Sequence, residues 1–110
     1  MRPATSTNRR MTAYMIGSLS VKDWAWYREY RSIAEPLIAE YGGTYLVKGG
    51  GPATLEGDRP CDAIVLVSFP DRDTLERWYN DERYAPARAL RQEGGVTTDL
   101  WMVDGEPLPG

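Results

Sequence analysis

The chain has 110 residues, 42% of them hydrophobic and 26% charged, with a formal net charge of -3. That length supports one domain around one core, and the composition excludes a disordered or fibrous chain. The acidic balance excludes a nucleic-acid reader, whose phosphate partner needs a concentrated basic surface.

The chain starts with MRPATSTNRR, which has basic residues but no apolar stretch behind them, so no secretory signal is expected. Residues 1–11 read as a flexible tail, and Met11 is a second candidate translation start beside Met1. TAYMIGSLSV (12–21) alternates and reads as a strand, with Gly17 as a bulge or close-approach point. Asp23 is placed to cap the helix that follows. In WAWYREYRSIAEPLIAEY (24–41), Tyr27, Tyr30, Ala34, Leu37, Ile38 and Tyr41 recur on one helical face. Pro36 predicts a kink or restart, and Gly42-Gly43 the stop.

TYLVK (44–48) predicts a short strand, with Tyr45 and Val47 on one face and Leu46 and Lys48 on the other. GGGP (49–52) is a turn and ATLEGD (53–58) a marginal strand. The glycines around TYLVK are punctuation rather than a phosphate cradle: Gly42-Gly43 close a helix, and Lys48 precedes its glycines instead of following them. AIVLVSF (63–69) is the clearest strand, β-branched, continuous and stopped by Pro70. It is also the longest apolar run, far short of the roughly 20 residues that cross a bilayer, so no membrane span is expected. Asp71 caps a helix over DTLERWYN, Asn80-Asp81 interrupts, and a further helical piece with Pro86 near its start runs to about Gln92. VTTDLWMV (96–103) is the last strand, and 105–110 reads as a second tail.

The order strand, helix, strand, strand, helix, strand predicts an α+β, ferredoxin-like βαββαβ domain over 12–104, an antiparallel sheet with two helices on one face. AIVLVSF is apolar at nearly every position, which asks for burial on both faces of that sheet. A second copy of the chain is the simplest cover, so a homodimer through the open sheet face, a dimeric α/β barrel, is expected.

No histidine is present, and there is one cysteine, Cys61. The first absence removes the histidine-based triads and the imidazole ligands of most metal and haem sites, and the second leaves no thiolate zinc cluster. No metal and no cofactor are expected, and a lone cysteine fits a reducing, cytoplasmic setting. Cys61, beside Pro60 and with no histidine to activate it, reads as a structural residue.

Four tryptophans and seven tyrosines stand against one phenylalanine. Core packing alone would be served by Phe, whereas Tyr and Trp carry polar handles that need partners when buried. Tyr14, Trp26, Tyr27, Tyr30, Tyr45 and Trp78, with Tyr79 and Trp101, are therefore candidates to line a cleft that stacks a flat small molecule, as well as ordinary core and interface aromatics. Arg88 and Arg91, three apart on a helix, share a face and could hold a substrate carboxylate. Among the acidic residues, Asp71 reads as a cap, and Glu56 and Asp58 as turn residues of which Asp58 could serve as a general base if buried.

Taken together and in order, AYMIG, the Tyr27 and Tyr30 pair, YGGTYLVKGG, LEGD, SFPD, RWYN and RALR resemble the domain-of-unknown-function family 1330, a branch of the dimeric α/β-barrel superfamily. The resemblance runs from about Tyr14 to Asp104 and implies the fold and the dimer without supplying a reaction. Members often carry an arginine opening the third strand and a glutamate before the Phe-Pro; here Ala63 and Ser68 stand in those places. The superfamily includes cyclases, isomerases, decarboxylases and cofactor-independent monooxygenases. By that analogy the chain is a cofactor-free enzyme acting on an aromatic or polyketide-like molecule. In an acid-base version Tyr30 or Tyr45 polarises a carbonyl while Asp58 moves a proton. In an oxygenase version Trp78 and Asn80 bind an electron-rich phenol whose anion meets oxygen. A dimeric binding or accessory protein using the same cleft, and a purely structural dimer module, are the alternatives. A buried carboxylate in the cleft would favour the enzyme, and a cleft without any ionisable group the binding protein.

Overall fold

A computed structural model describes residues 11–105. The tails expected at 1–11 and 105–110 lie outside the described residues, except for Met11 and Gly105, as does the comparison of Met1 with Met11 as a start. The elements are β1 (Ala13–Ser20), α1 (Tyr27–Glu40), β2 (Thr44–Gly50), β3 (Ala63–Phe69), α2 (Arg72–Tyr79), α3 (Ala85–Glu93) and β4 (Thr97–Asp104). The strands form one sheet in the order β2-β3-β1-β4, with every neighbour antiparallel. This is the ferredoxin-like α+β plan, with the second helix of the motif broken into α2 and α3. No helix among the described residues is long and apolar enough to cross a membrane.

The break has a local cause. Asp71 accepts from the Thr74 amide and starts α2, and the Asn80 side chain donates to the Glu76 carbonyl at its end. The chain then turns through Asp81–Arg83 before α3, whose Pro86 sits in the first turn, where a missing N–H costs nothing.

α1 runs through Pro36 without a break, so the expected kink or restart does not occur. Its start also differs from expectation. Asp23 accepts from the Ala25 amide and so organises the turn before the helix, while the N-cap residue is Trp26, which makes no side-chain cap hydrogen bond. Its stop is as expected. Gly42 has φ 77°, the Gly43 amide donates to the Ile38 carbonyl and the Gly42 amide to the Ala39 carbonyl, the paired bonds of a Schellman motif.

The core lies between the helices and the sheet face carrying Met15, Val67 and Phe69, with Trp78, Tyr84 and Ile38 fully buried above them. Gly17 belongs to that face in the central strand. It is a close-approach point and not a bulge: a Cβ there would stand 2.6 Å from Val65 and 2.9 Å from Leu100. The bulge is in β2. Tyr45 pairs with Val67 and Val47 with Leu66, so Leu46 is the extra residue. One added residue reverses the alternation, which corrects the sequence reading: Tyr45 and Lys48 share the helix-covered face, and Val47 turns to the other. ATLEGD forms no strand, and its Leu55 is 97% exposed.

The uncovered face of the sheet carries Tyr14, Ile16, Ile64 and Leu66, all half-buried, with Val47 and Trp101 exposed on either side. This is a broad apolar surface on the face of the sheet that no helix covers.

Candidate functional site

Between the first turns of α1, the end of α3 and the helix-covered face of the sheet lies a cavity of about 240 Å³. Its walls are apolar where the strands contribute Met15, Leu19, Val65 and Leu100, and aromatic where Trp24, Trp26 and Tyr27 enter from the start of α1. Tyr30, Tyr45 and Tyr84 bring hydroxyl groups to it, and Arg31, Lys48 and Arg91 bring positive charge. Among the described residues no aspartate or glutamate lines it.

Each of these groups is placed by its element. Tyr27, Tyr30 and Arg31 fall on one face of α1 because positions three and four apart neighbour each other on a helix. Trp26 packs edge-on against Tyr30, ring centroids 5.4 Å apart, and closes onto Gly94 so tightly that a Cβ there would stand 2.9 Å from the indole. Tyr45 reaches the cavity directly from β2, and Lys48 does so only because of the bulge at Leu46. The Lys48 ammonium sits 4.7 Å from the centre of the Tyr45 ring and donates to Glu35, which also accepts from Arg31. The two cations at the mouth are therefore already paired, and their bonds to Glu35, Lys48 first, hold that carboxyl below its ordinary range.

The inner end differs. The hydroxyls of Tyr30 and Tyr84 are 2.9 Å apart, sharing one hydrogen bond. Burial, and then the neighbouring Tyr84 hydroxyl, push the Tyr30 pKa well above the usual phenol value, and burial pushes Tyr45 up as well. At neutral pH these are protonated donors and not bases. Arg91 is only 5% exposed, and its Nη2 has no hydrogen-bond partner. The Trp26 indole nitrogen and the Thr98 hydroxyl, which also line the cavity, are buried without partners too.

Sequence reading anticipated Tyr27, Tyr30, Tyr45 and Arg91 in one place, and the fold brings them together. Other candidates go elsewhere. Asp58 stands exposed in the loop between β2 and β3 and does not line the cavity, so it has no burial to make it a base there. Trp78 is fully buried in the core, and Asn80 is exposed and spends its amide on ending α2, so the two do not form a phenol site. Tyr79 packs against Trp78 and Tyr84 outside the cavity, and Tyr14 lies on the open sheet face. Arg88 and Arg91 part company: Arg88 donates to the Tyr79 carbonyl and lies over the Tyr79 ring, leaving Arg91 alone at the cavity. Ala63 lines the cavity, whereas Ser68 pairs with Tyr14 on the opposite face, so the two positions do not meet within one chain.

Tyr84 and Thr98 line the cavity and were both missed by sequence reading, Thr98 without any local signal and Tyr84 despite one. Its signal was available, since Tyr84, Arg88 and Arg91 stand at i, i+4 and i+7 of one helical face, but the Pro86 beside it concealed the helix start. Among the described residues no three His, Cys, Asp or Glu side chains gather as a metal site would require.

Solved structures share this architecture at low sequence identity. A protein of unknown function from Rhodopseudomonas palustris, RPA0582, superposes with a TM-score of 0.71 at 18% identity, over 100% of this chain and 95% of its own. SnoaB, a cofactor-independent oxygenase from Streptomyces nogalater, superposes with a TM-score of 0.64 at 11% identity, over 89% and 96%. At these identities the likeness shows the fold alone. No curated protein matches the sequence. The family model described as Domain of unknown function (DUF1330) matches residues 12–106, nearly the whole chain, and the protein belongs to that family.

Proposed function

We propose that this chain is a small enzyme working without a cofactor on a flat aromatic molecule held in the Tyr/Trp-lined cavity, where a donor hydroxyl polarises a carbonyl of the substrate and solvent water takes the proton released beside it. The observation that carries the reading is the Tyr30–Tyr84 hydroxyl pair facing an apolar, cation-lined cavity. Two hydroxyls that share one hydrogen bond keep one proton free, and a preorganised hydroxyl donor in an apolar wall is suited to hold negative charge developing on a carbonyl oxygen. With no histidine in the sequence and no clustered acidic site among the described residues, the cavity offers such neutral donors and arginine.

The cavity volume favours one- and two-ring molecules over larger polyketides, being below the roughly 300–1,000 Å³ typical of drug-sized ligands. The fold likeness to SnoaB is compatible with cofactor-free chemistry and adds no residue to it. In this reading a second copy of the chain covers the open sheet face and leaves the cavity, on the other side of the sheet, unobstructed.

A binding protein without turnover is the second reading, favoured by the absence of any carboxylate among the lining residues to act as base. A panel of one- and two-ring aromatic ketones, assayed for binding by calorimetry and for turnover by proton exchange next to the carbonyl, separates the two. Tyr30→Phe and Tyr84→Phe should each lower turnover by about 10²–10³ while changing affinity only a few-fold, the loss expected when one oxyanion donor is removed. Binding without exchange would establish the second reading, and absence of binding across the panel would remove the cavity from both.

A further inference from the structure

We infer that the cavity selects a carboxylate: its ligand is a one- or two-ring aromatic acid whose carboxylate is received by Arg91, Trp26 and Thr98. This rests on the proposed cavity and adds the charge and the binding group of what enters it. Four buried side-chain polar atoms among the described residues have no hydrogen-bond partner, and three of them, Arg91 Nη2, Trp26 Nε1 and Thr98 Oγ1, line this one cavity. Buried polar groups are nearly always satisfied, so three unsatisfied ones facing a common space call for a common partner.

The chemistry of the three names that partner. A guanidinium and an indole N–H donate and never accept, and a hydroxyl can donate, so the missing group is an acceptor. All three residues line the same cavity, Arg91 from the last turn of α3, Trp26 from the turn ahead of α1, where it packs against Gly94, and Thr98 from the start of β4. The free proton of the Tyr30–Tyr84 pair adds one more donor to the cavity. A carboxylate, with two oxygens and about four acceptor positions, satisfies a donor set of this size.

Charge fixes the ligand as a monoanion. Arg31 and Lys48 are already paired with Glu35, so among the described residues Arg91 is the cation lining the cavity without an acidic partner. A phosphate dianion would need more. The remaining wall is apolar and aromatic, which suits a ring and not a sugar or peptide.

The test is calorimetric titration of the full chain at neutral pH with 2-naphthoate and with 2-naphthamide, its neutral counterpart of the same shape. The acid should bind about ten- to a hundredfold more tightly, the gain expected of a charge-assisted hydrogen bond. Arg91→Met should bring the acid down to the affinity of the amide and leave the amide within a few-fold of its original value. Trp26→Phe should weaken the acid several-fold and the amide hardly at all, a result that stands even if the Arg91 variant does not fold. Equal affinities for acid and amide, or an acid preference that survives both substitutions, overturn the carboxylate assignment while the aromatic cavity stands. Failure of both compounds to bind overturns the assignment and the cavity together.

Discussion

Tyr30 joins the folding of the chain to its site. Its hydroxyl meets Tyr84, its ring packs against Trp26, and burial, followed by the Tyr84 contact, raises its pKa far above an ordinary phenol. Tyr45 is raised in the same direction, first by burial. A group that holds its proton more tightly when folded stabilises the native state fully below its unfolded pKa, and that contribution is lost as pH rises towards the folded value. Thermal denaturation followed against pH should therefore show the melting temperature falling above about pH 10, where unfolded tyrosines ionise. Tyr30→Phe should flatten that fall, and an unchanged alkaline slope in the variant would refute the burial of its hydroxyl. Tyr30 and Tyr45 were legible from the sequence as an excess of tyrosine over phenylalanine, a composition that plain packing does not require. Tyr84 shares a helical phase with Arg88 and Arg91, but Pro86 two residues on concealed where that helix starts.

At the scale of elements, α1 and β2 decide the site, and both turn on one or two residues. The α1 stop relies on Gly42 at φ 77°, a conformation that places a Cβ against the following carbonyl. Gly42→Ala should lower stability by about 1–2 kcal/mol in denaturant titration with the slope unchanged. A neutral result would mean that the helix ends by another route. The stop was readable from Gly42-Gly43 alone. The bulge at Leu46 was not, since a period-two pattern carries no mark of an inserted residue, and the insertion became visible only as a register shift against β3. It brings Lys48 onto the helix-covered face and into reach of Glu35 and Tyr45. The expected ATLEGD strand failed for the opposite reason: alternation over so few residues competes with Gly57, at φ 96°, and with no neighbouring strand to pair.

For the whole molecule, the sheet has a helix-covered face with a cavity and an uncovered apolar face. A homodimer through the second is our proposal, and it is measurable. The chain should sediment at micromolar concentration with twice its 12.4 kDa mass. Leu66→Asp, placed in the centre of the open face, should return it to the mass of one chain while retaining the far-ultraviolet spectrum of the fold. A stable interface buries on the order of 1,600 Å², which an apolar sheet face of four strands can supply. A wild-type monomer would leave Tyr14, Ile16 and Leu66 without a cover and refute the dimer.

The sequence by itself determined the order of elements, the ferredoxin-like plan and the family, because hydrophobic period, glycine stops and an aspartate cap are local signals that survive without tertiary context. It also narrowed the chemistry by containing no histidine. Only the tertiary structure decided which aromatics meet. Burial separates Trp78, locked in the core, from Trp26, whose indole faces the cavity, although the two look alike in a list of tryptophans. It sent Arg88 to a backbone carbonyl and left the Arg91 Nη2 without a hydrogen-bond partner near Tyr30 and Tyr84, residues 54 positions apart that touch through their hydroxyls. Contacts of that sequence separation depend on how helices settle on the sheet, and no local pattern encodes them.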